Sequence, residues 1–101
     1  MTQKTLSYLG LCRRAGKLAL GHDAVAEAVR NGNAKMCLLT EDASPRHKRE
    51  LDAANTQADI ILLQITSQEL SYSIGKKVCV LAVTDDGFAK ALKKQFEEEA
   101  T

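Results

Sequence analysis

Aromatic side chains are scarce in this sequence of 101 residues, and tryptophan is absent. Tyrosine and phenylalanine together make up 4% of the chain, so the hydrophobic core must be built mainly from Leu, Ile, Val and Ala. RNA-binding domains that stack several bases on one face of a sheet need a row of exposed aromatic rings. The composition therefore disfavours that kind of nucleic-acid surface.

Cysteine is also sparse, and its spacing excludes two kinds of stabilisation. Cys12, Cys37 and Cys79 are odd in number, widely separated and free of any C-x-x-C pair, so neither a disulfide framework nor a thiolate zinc site is supported. Each lies among apolar residues, which favours a buried, inert thiol in a reducing compartment. No apolar run has the length of a signal peptide or a membrane span, and we expect a cytoplasmic protein without membrane contact.

The sequence patterns of common enzyme sites are missing as well. The six glycines form neither the Walker spacing nor G-x-G-x-x-G, and G-x-S-x-G does not occur. His22 and His47 have no partners at metal-ligand or triad-like local spacing. Asp85 and Asp86 precede an amphipathic segment, where helix capping explains them better than metal binding. We predict a non-enzymatic protein with no catalytic residue, metal, organic cofactor or small-molecule substrate.

Charge is nearly balanced over the chain but unevenly distributed along it. The net charge is +1, from 14 basic and 13 acidic residues. Residues 1–35 nevertheless hold six basic and two acidic side chains, so the balance can hide a basic face. A hydrophobic content of 45%, with no linker or internal repeat, predicts one domain over residues 1–101 with a solvated acidic end at 97–101.

Hydrophobic periodicity predicts helices that alternate with strands along the whole chain. The helices are expected at about 5–15, 22–31, from Ser44-Pro45 through Ala54, at 66–74, and from Asp85 or Asp86 onward. The strands are expected at about 17–21, 34–40, 59–65 and 78–83. The later strands are apolar without alternation, which is typical of strands covered on both faces.

This order predicts an α/β protein, a three-layer α/β/α sandwich with a central four-stranded mixed sheet. Strand-helix-strand units cross over with right-handed geometry, so the exits after Gly21 and Thr40 are expected at the same sheet edge. Binding groups usually collect at such an edge.

Two turns offer groups suited to an anionic ligand. Gly21, His22 and Asp23 open a helix whose first amides can hold a phosphate or a base edge, although an ordinary turn explains them too. Residues 74–78 place Lys76 and Lys77 between apolar neighbours in a helix-to-strand loop. Solvated loop lysines are the simpler interpretation of that pair.

Three segments together match the pattern of one known family. They are LGLCRRAGKLALG at 9–21, LLTEDAS at 38–44 and VTDDGFAKAL at 83–92. On these segments the chain resembles the YlxQ-like bacterial ribosomal proteins of the L-seven-Ae and L-thirty-e superfamily of kink-turn RNA-binding proteins. The resemblance covers nearly the whole chain, and it implies an α/β/α sandwich that binds bent RNA.

The resemblance also implies where RNA would bind. In the superfamily the second helix docks its N-terminus into the RNA major groove, and the loop before the last strand closes over extruded nucleotides. The RNA-binding positions carried over by this match are Gly21, His22, Asp23, Glu27, Ile74, Gly75, Lys76, Lys77 and Val78. Kink-turn binders carry Asn and Lys where this chain has Asp23 and Glu27, so an amide donor and a cation are replaced by carboxylates.

Electrostatic attraction could compensate for that change. We expect Arg46 and Lys48, after the second strand, to gather with Lys76 and Lys77 and to contact phosphates. The predicted partner is structured RNA, with ribosomal RNA suggested by the resemblance, and the oligomeric state stays open. An alternative is a protein-interaction module that uses acidic edge residues, namely Glu41, Asp42, Asp85 and Asp86. A third is an accessory domain of an RNA-modifying enzyme, although the chain is too short to contain the catalytic part.

Overall fold

The computed structural model describes residues 1–54 and 56–100, within which five helices alternate with four strands as predicted. The helices are α1 (Gln3–Arg14), α2 (His22–Arg30), α3 (Pro45–Ala53), α4 (Ser67–Ile74) and α5 (Asp86–Glu99). The strands are β1 (Leu18–Leu20), β2 (Met36–Leu39), β3 (Asp59–Leu62) and β4 (Val80–Val83).

Local sequence signals set the ends of α4. The Thr66 hydroxyl accepts a hydrogen bond from the Glu69 amide at 3.2 Å, and the Glu69 carboxylate accepts one from the Thr66 amide at 3.3 Å. This is the capping box expected from the sequence T-S-Q-E. The helix ends at Gly75, whose φ of 78° places it in the left-handed conformation that glycine adopts without steric cost.

The four strands form one mixed sheet in the order β1-β4-β2-β3. β4 runs antiparallel to both β1 and β2, whereas β2 and β3 are parallel. β1, β2 and β3 therefore end at the edge where β4 begins. The exits after Gly21 and Thr40 lie at this shared edge, as predicted, because the two amides donate to Val80 and Cys79 carbonyls at 2.9 and 3.0 Å.

Helices cover both faces of the sheet, which confirms the three-layer sandwich. Alternate strand residues point to opposite faces. On one face Met36, Leu38, Leu81 and Val83 pack with α1, α4 and α5. On the other face Cys37, Leu39, Val80 and Ala82 pack with α2 and α3. All eight strand residues are buried, so the two central strands, β2 and β4, anchor both halves of the core.

The expectation that every later strand is covered on both faces is wrong for β3. Asp59 and Leu62 are exposed, with Leu62 at 61%, and the strand ends at Leu62 rather than near Ile65. The physical reason is its place in the sheet, since among the described residues β3 is the last strand in the order and is paired with β2 alone. An apolar run thus marked an edge strand here.

The acidic end of the chain belongs to α5. Glu97, Glu98 and Glu99 form the last turn of that helix and are exposed, while Thr101 lies outside the described residues. Glu99 is also bonded, because its carboxylate accepts hydrogen bonds from the Thr2 and Thr5 hydroxyls at 2.7 and 2.6 Å. These bonds join the start of α1 to the end of α5.

Candidate nucleic-acid interface

Gly21 is the N-cap of α2 and has a backbone conformation that essentially requires glycine. Its φ of 91° and ψ of 167° lie in a region from which side chains are sterically excluded. Its carbonyl accepts the first helical hydrogen bond from Val25 at 3.0 Å. Glycine has no side chain that could cap the helix. The N–H groups of the first turn of α2 therefore face outward and carry the partial positive charge of the helix N-terminus.

The lysine-bearing loop lies against this turn. Lys76 and Lys77 are exposed, and Val78 is 8% exposed and belongs to the core. A methyl group built on Gly21 would lie 3.9 Å from Cγ1 of Val78. The two turns singled out in the sequence therefore meet at one edge of the sheet, where helix amides and two ammonium groups can face the same ligand.

Arg13 binds the backbone at the start of this loop. Its Nη1 donates a hydrogen bond to the carbonyl oxygen of Ile74, the last residue of α4, at 2.5 Å. Its position in the last turn of α1 would suit the dipole of that helix, but the Arg13 guanidinium bonds the C-terminus of α4 instead. The two helices are in close contact there, because a methyl group on Gly10 would lie 2.9 Å from the Ser73 carbonyl oxygen.

Replacing Arg13 by alanine should loosen the loop. The lost bond is charge-assisted and partly exposed, so we expect local opening to become easier by about 1 kcal/mol, or roughly fivefold. Amide hydrogen exchange at Gly75 and the residues up to Val78 measures this change. Arg14→Ala removes the same charge from the same helix and is the control. Equal protection in the two variants would contradict the assignment.

A cluster of charged side chains joins α2 to α3 beside Gly21. His22 Nε2 lies 2.5 Å from Oε2 of Glu50, and its Nδ1 lies 3.1 Å from Oδ1 of Asp23. Arg46 Nε donates to the other oxygen of Glu50 at 2.7 Å. The structure thus brings Arg46 near His22 with its guanidinium engaged by a carboxylate, while its gathering with Lys76 and Lys77 stays a prediction.

The side chain of Lys48 lies on a different face of α3 from that of Arg46. Residues two apart on a helix do not share a face. Its ammonium group pairs with Asp52 at 2.9 Å, one turn further along α3. The sequence spacing of Arg46 with Glu50 and of Lys48 with Asp52 could have predicted both pairs, because each is an i, i+4 pair of opposite charge.

His22 on α2 and Glu50 on α3 shift each other's pKa. Hydrogen bonds to Asp23 and then to Glu50 raise the pKa of His22 above its ordinary value of 6.5. Hydrogen bonds from Arg46 and then from His22 lower the pKa of Glu50 below 4.5. The charged forms of both groups are therefore favoured in the folded protein.

This coupling predicts a pH-dependent stability. Because folded His22 binds its proton more tightly than the unfolded chain does, its contribution is complete below about pH 6.5 and is lost as pH rises through the raised pKa. Glu50 contributes above about pH 4.5, and that contribution is lost at lower pH. Urea unfolding of the wild type and of His22→Gln, at roughly pH 5.5 and 8.5, should show a smaller loss of stability on the alkaline side in the variant. A His22→Gln variant with the wild-type pH dependence would refute this linkage.

Glu27 lies one turn after Asp23 on the exposed side of α2. Together with Ala24, Asn31 and Thr84 it lines a shallow depression of about 360 Å³. The two carboxylates give this side of the helix a negative character. Any phosphate contact at the start of α2 must therefore come from backbone amides and from the neighbouring loop lysines.

The acidic residues of the alternative hypothesis do not form one surface. Glu41 and Asp42 follow β2, whereas Asp85 and Asp86 follow the antiparallel β4, so the two pairs lie at opposite edges of the sheet. Asp42 accepts hydrogen bonds from the Ser67 hydroxyl and amide at 2.7 and 2.8 Å, and the hydroxyl bond is the main reason that its pKa is well below the usual range. Asp85 caps α5 through the Phe88 amide at 3.0 Å. Asp42 and Asp85 thus have structural roles.

Within residues 1–54 and 56–100, no three His, Cys, Asp or Glu side chains are grouped so that they could hold a metal ion. In the same part of the chain, no helix has both the length and the apolar character needed to cross a membrane.

These features define the protein as a three-layer α/β/α sandwich with a mixed sheet. Its candidate site lies at the start of α2, where Gly21 and Val78 come together at one edge of the sheet. The chain belongs to the ribosomal protein L7Ae/L30e/S12e/Gadd45 family, whose model matches residues 3–93. The resemblance noted in the sequence is thereby confirmed.

Curated relatives lie on both the bacterial and the eukaryotic side of the family. The chain is 41% identical over 86 residues to the RNA-binding protein YlxQ of Bacillus subtilis, covering 83% of this chain and 86% of that protein. It is 32% identical over 96 residues to YlxQ of Enterococcus faecium, covering 94% and 93%. The large ribosomal subunit protein eL30 of Spodoptera frugiperda is 32% identical over 85 residues, covering 80% and 75%.

A solved structure matches the fold closely. A protein of unknown function from Bacillus halodurans is 32% identical and superposes with a TM-score of 0.87. The match covers 95% of this chain and 99% of that one, so the described fold is shared from end to end.

Proposed function

We propose that the protein binds structured RNA in a ribosome- or translation-associated role, without catalysis and without a cofactor. The observation that carries this proposal is the proximity of Gly21 to Val78, which sets the first-turn amides of α2 next to the loop of Lys76 and Lys77. Two curated relatives named as RNA-binding proteins, at 32% and 41% identity, support it.

The chemistry of this edge suits a folded RNA backbone. Helix N-terminal amides bind phosphate through N–H groups and the helix dipole. Two exposed lysines add point charges that attract phosphates without reading the sequence. Because these groups are fixed on the rigid edge of a sheet, they favour one bent RNA shape and shift its population by the difference in affinity.

Asp23 and Glu27 set the specificity of the proposed site. Carboxylates repel phosphates but accept hydrogen bonds from exposed amino groups of bases. The glycine of the kink-turn motif is kept at Gly21, so the RNA backbone can approach closely. We propose a kinked RNA, ribosomal RNA among the candidates, whose bases present donors toward α2.

Titration with RNA at several salt concentrations tests the proposal. With roughly five phosphates neutralised, the slope of log K against log salt should be about −3.5 to −4.5. A kink-turn RNA and a straight duplex of equal length, titrated side by side, test the shape preference. Absence of binding to either RNA, or an affinity that does not change with salt, would refute the function. Equal affinity for both would refute only the recognition of a kink.

A further inference from the structure

A cleft of about 420 Å³ lies between α2 and α3, on the face of the sheet that these two helices cover. Five residues of α2 line one side of it: His22, Val25, Ala26, Val29 and Arg30. Their spacing places them on one face of the helix. Leu51 of α3 and Val80 of β4 add apolar surface. A cleft of this volume, with apolar walls and a few polar groups, has the usual form of a small-molecule site.

The polar groups of the cleft differ in hydrogen-bonding character from one end to the other. Near the start of α2, the ionised Glu50 carboxylate only accepts hydrogen bonds. Its oxygens already bond with Arg46 at 2.7 Å and with His22 at 2.5 Å, but a carboxylate has about four acceptor positions and can accept more.

The opposite end of the cleft offers only donors. Arg30 lies about two turns further along α2 than His22, and its guanidinium has N–H donors but no acceptor. The side chain is exposed, and among the residues that the structure describes it forms no ion pair. A ligand that bridges the cleft must therefore present donors toward Glu50 and acceptors toward Arg30.

His47 lines the α3 side of the cleft and has a nitrogen atom without a partner. Its ring centroid lies 6.0 Å from that of His22. Nδ1 of His47 is buried, and within residues 1–54 and 56–100 it forms no hydrogen bond. Buried polar atoms in native proteins nearly always have a partner, because an unmade bond costs free energy. The χ2 angle of histidine varies broadly, so rotation of the ring would present this nitrogen to a ligand.

A guanine base has the edges that this arrangement requires. Its N1–H and its N2 amino group are adjacent donors that suit a carboxylate, and its O6 and N7 are acceptors that arginine binds with two hydrogen bonds. The flat faces of a base pack against side chains when the base is unstacked. Adenine has the same shape, but it carries an amino donor where guanine has O6, so it would oppose one donor with another at Arg30.

We propose that the cleft between α2 and α3 binds a guanine base, with its donor edge at Glu50, its acceptor edge at Arg30 and His47 beside the ring. The base can belong to a free guanine nucleotide or to an unpaired guanosine of the bound RNA, since His22 both lines the cleft and begins α2. Only the RNA source rests on the proposed function. Lys76 and Lys77 are outside the lining, so the cleft and the loop can be tested separately.

NMR titration of ¹⁵N-labelled protein with GMP, up to about 10 mM and without RNA, tests the site. The amide signals of Val25, Val29 and Leu51 should shift, with a dissociation constant in the millimolar range or below. AMP keeps the sugar and the phosphate, and ribose 5-phosphate lacks the base. Both should bind at least about tenfold more weakly than GMP. Absence of shifts with GMP, or equal affinity for GMP and AMP, would overturn the proposal.

Two phenylalanine variants of α2 test whether the base enters the cleft. Ala26→Phe places a ring in the cleft and should reduce the affinity for GMP by about tenfold or more. Ala24→Phe makes the same change at an exposed position on another face of α2, and it should have no effect. An equal loss of GMP binding in the two variants would contradict the location, and circular dichroism verifies that both are folded.

Replacing His47 by phenylalanine tests the unpartnered nitrogen. The ring is kept and the nitrogen is removed, so the affinity for GMP should fall several-fold. The unfolding midpoint should stay the same or rise, because a buried polar atom without a partner is lost. A lower midpoint would mean that this nitrogen has a partner in the folded protein, and it would overturn the assignment of His47 to the ligand.

The same variants distinguish the two sources of the base. If a guanosine of the RNA occupies the cleft, GMP should compete with RNA, and Ala26→Phe should lower the affinity for RNA more than Ala24→Phe does. If the ligand is a free nucleotide, the two variants should bind RNA equally. Wild type that binds GMP but no RNA would refute the proposed function and leave the guanine site standing. Wild type that binds RNA but not GMP would do the reverse.

Discussion

Reversing both loop charges, with Lys76→Glu and Lys77→Glu together, should reduce RNA affinity by at least about tenfold, or roughly 1.4 kcal/mol. Two cations that attract phosphates would become two anions that repel them, at the edge where Asp23 follows Gly21 with a further carboxylate. The slope of log K against log salt should also fall in magnitude by about 1.5, since each lost phosphate contact contributes about 0.7 to 0.9. Both quantities come from the same salt titration.

A matched pair of changes controls for net charge. Lys90→Glu with Lys94→Glu alters the total charge equally, on exposed positions of α5. Long-range attraction would weaken in both double variants, whereas loss of direct contacts is confined to the first. If the α5 variant loses as much affinity as the loop variant, the loop is not the contact surface. The unfolding midpoint of each variant should stay near that of the wild type.

Gly21→Ala should lower the free energy of unfolding by about 1 to 3 kcal/mol. The cause is the backbone conformation, with φ at 91° and ψ at 167°, which costs a residue with a Cβ atom 1 to 3 kcal/mol. Crowding contributes little, because the new methyl group would lie 3.9 Å from Val78, an ordinary contact distance. Urea or guanidinium unfolding measures the difference.

Gly32→Ala provides the comparison for this prediction. Gly32 has a φ of 73° with open space around it, and the left-handed region costs alanine only about 1 kcal/mol. Gly21→Ala should therefore be the more destabilising of the two. The reverse order would mean that the turn before α2 relaxes to a conformation that any residue can adopt, and that the glycine is there for another reason.

Most of the fold could be predicted because its signals are local. Apolar runs marked the central strands, and Thr66 with Glu69 marked the start of α4 by their spacing. The position of β4 between β1 and β2 was not predictable in this way, since strand order depends on long-range packing of faces that look alike in sequence. The same limit explains β3, because an apolar run does not tell a central strand from an edge strand.

The candidate site was partly predictable for a related reason. The resemblance assigned Gly21 and the loop of Lys76 and Lys77 to RNA binding, and the antiparallel pairing of β1 with β4 brings the two turns to one edge of the sheet. The role of Glu50 was not predicted. Its contact with His22 joins α3 to α2, and the sequence of either helix alone does not indicate it. The partner of Arg13 was not predictable either, because the carbonyl oxygen of Ile74 is 61 positions away.

The bonds from Thr2 and Thr5 to Glu99 also bear on protein engineering. They keep the first and last turns of the fold within hydrogen-bonding distance, so a short linker could join residues 1 and 100. The chain could then be reopened at the exposed turn around Gly32, because circular permutation succeeds at exposed turns when the original termini are close. Such a permuted chain would keep the sheet and the edge at Gly21 intact, and would free both new ends for labels at the C-terminal end of α2.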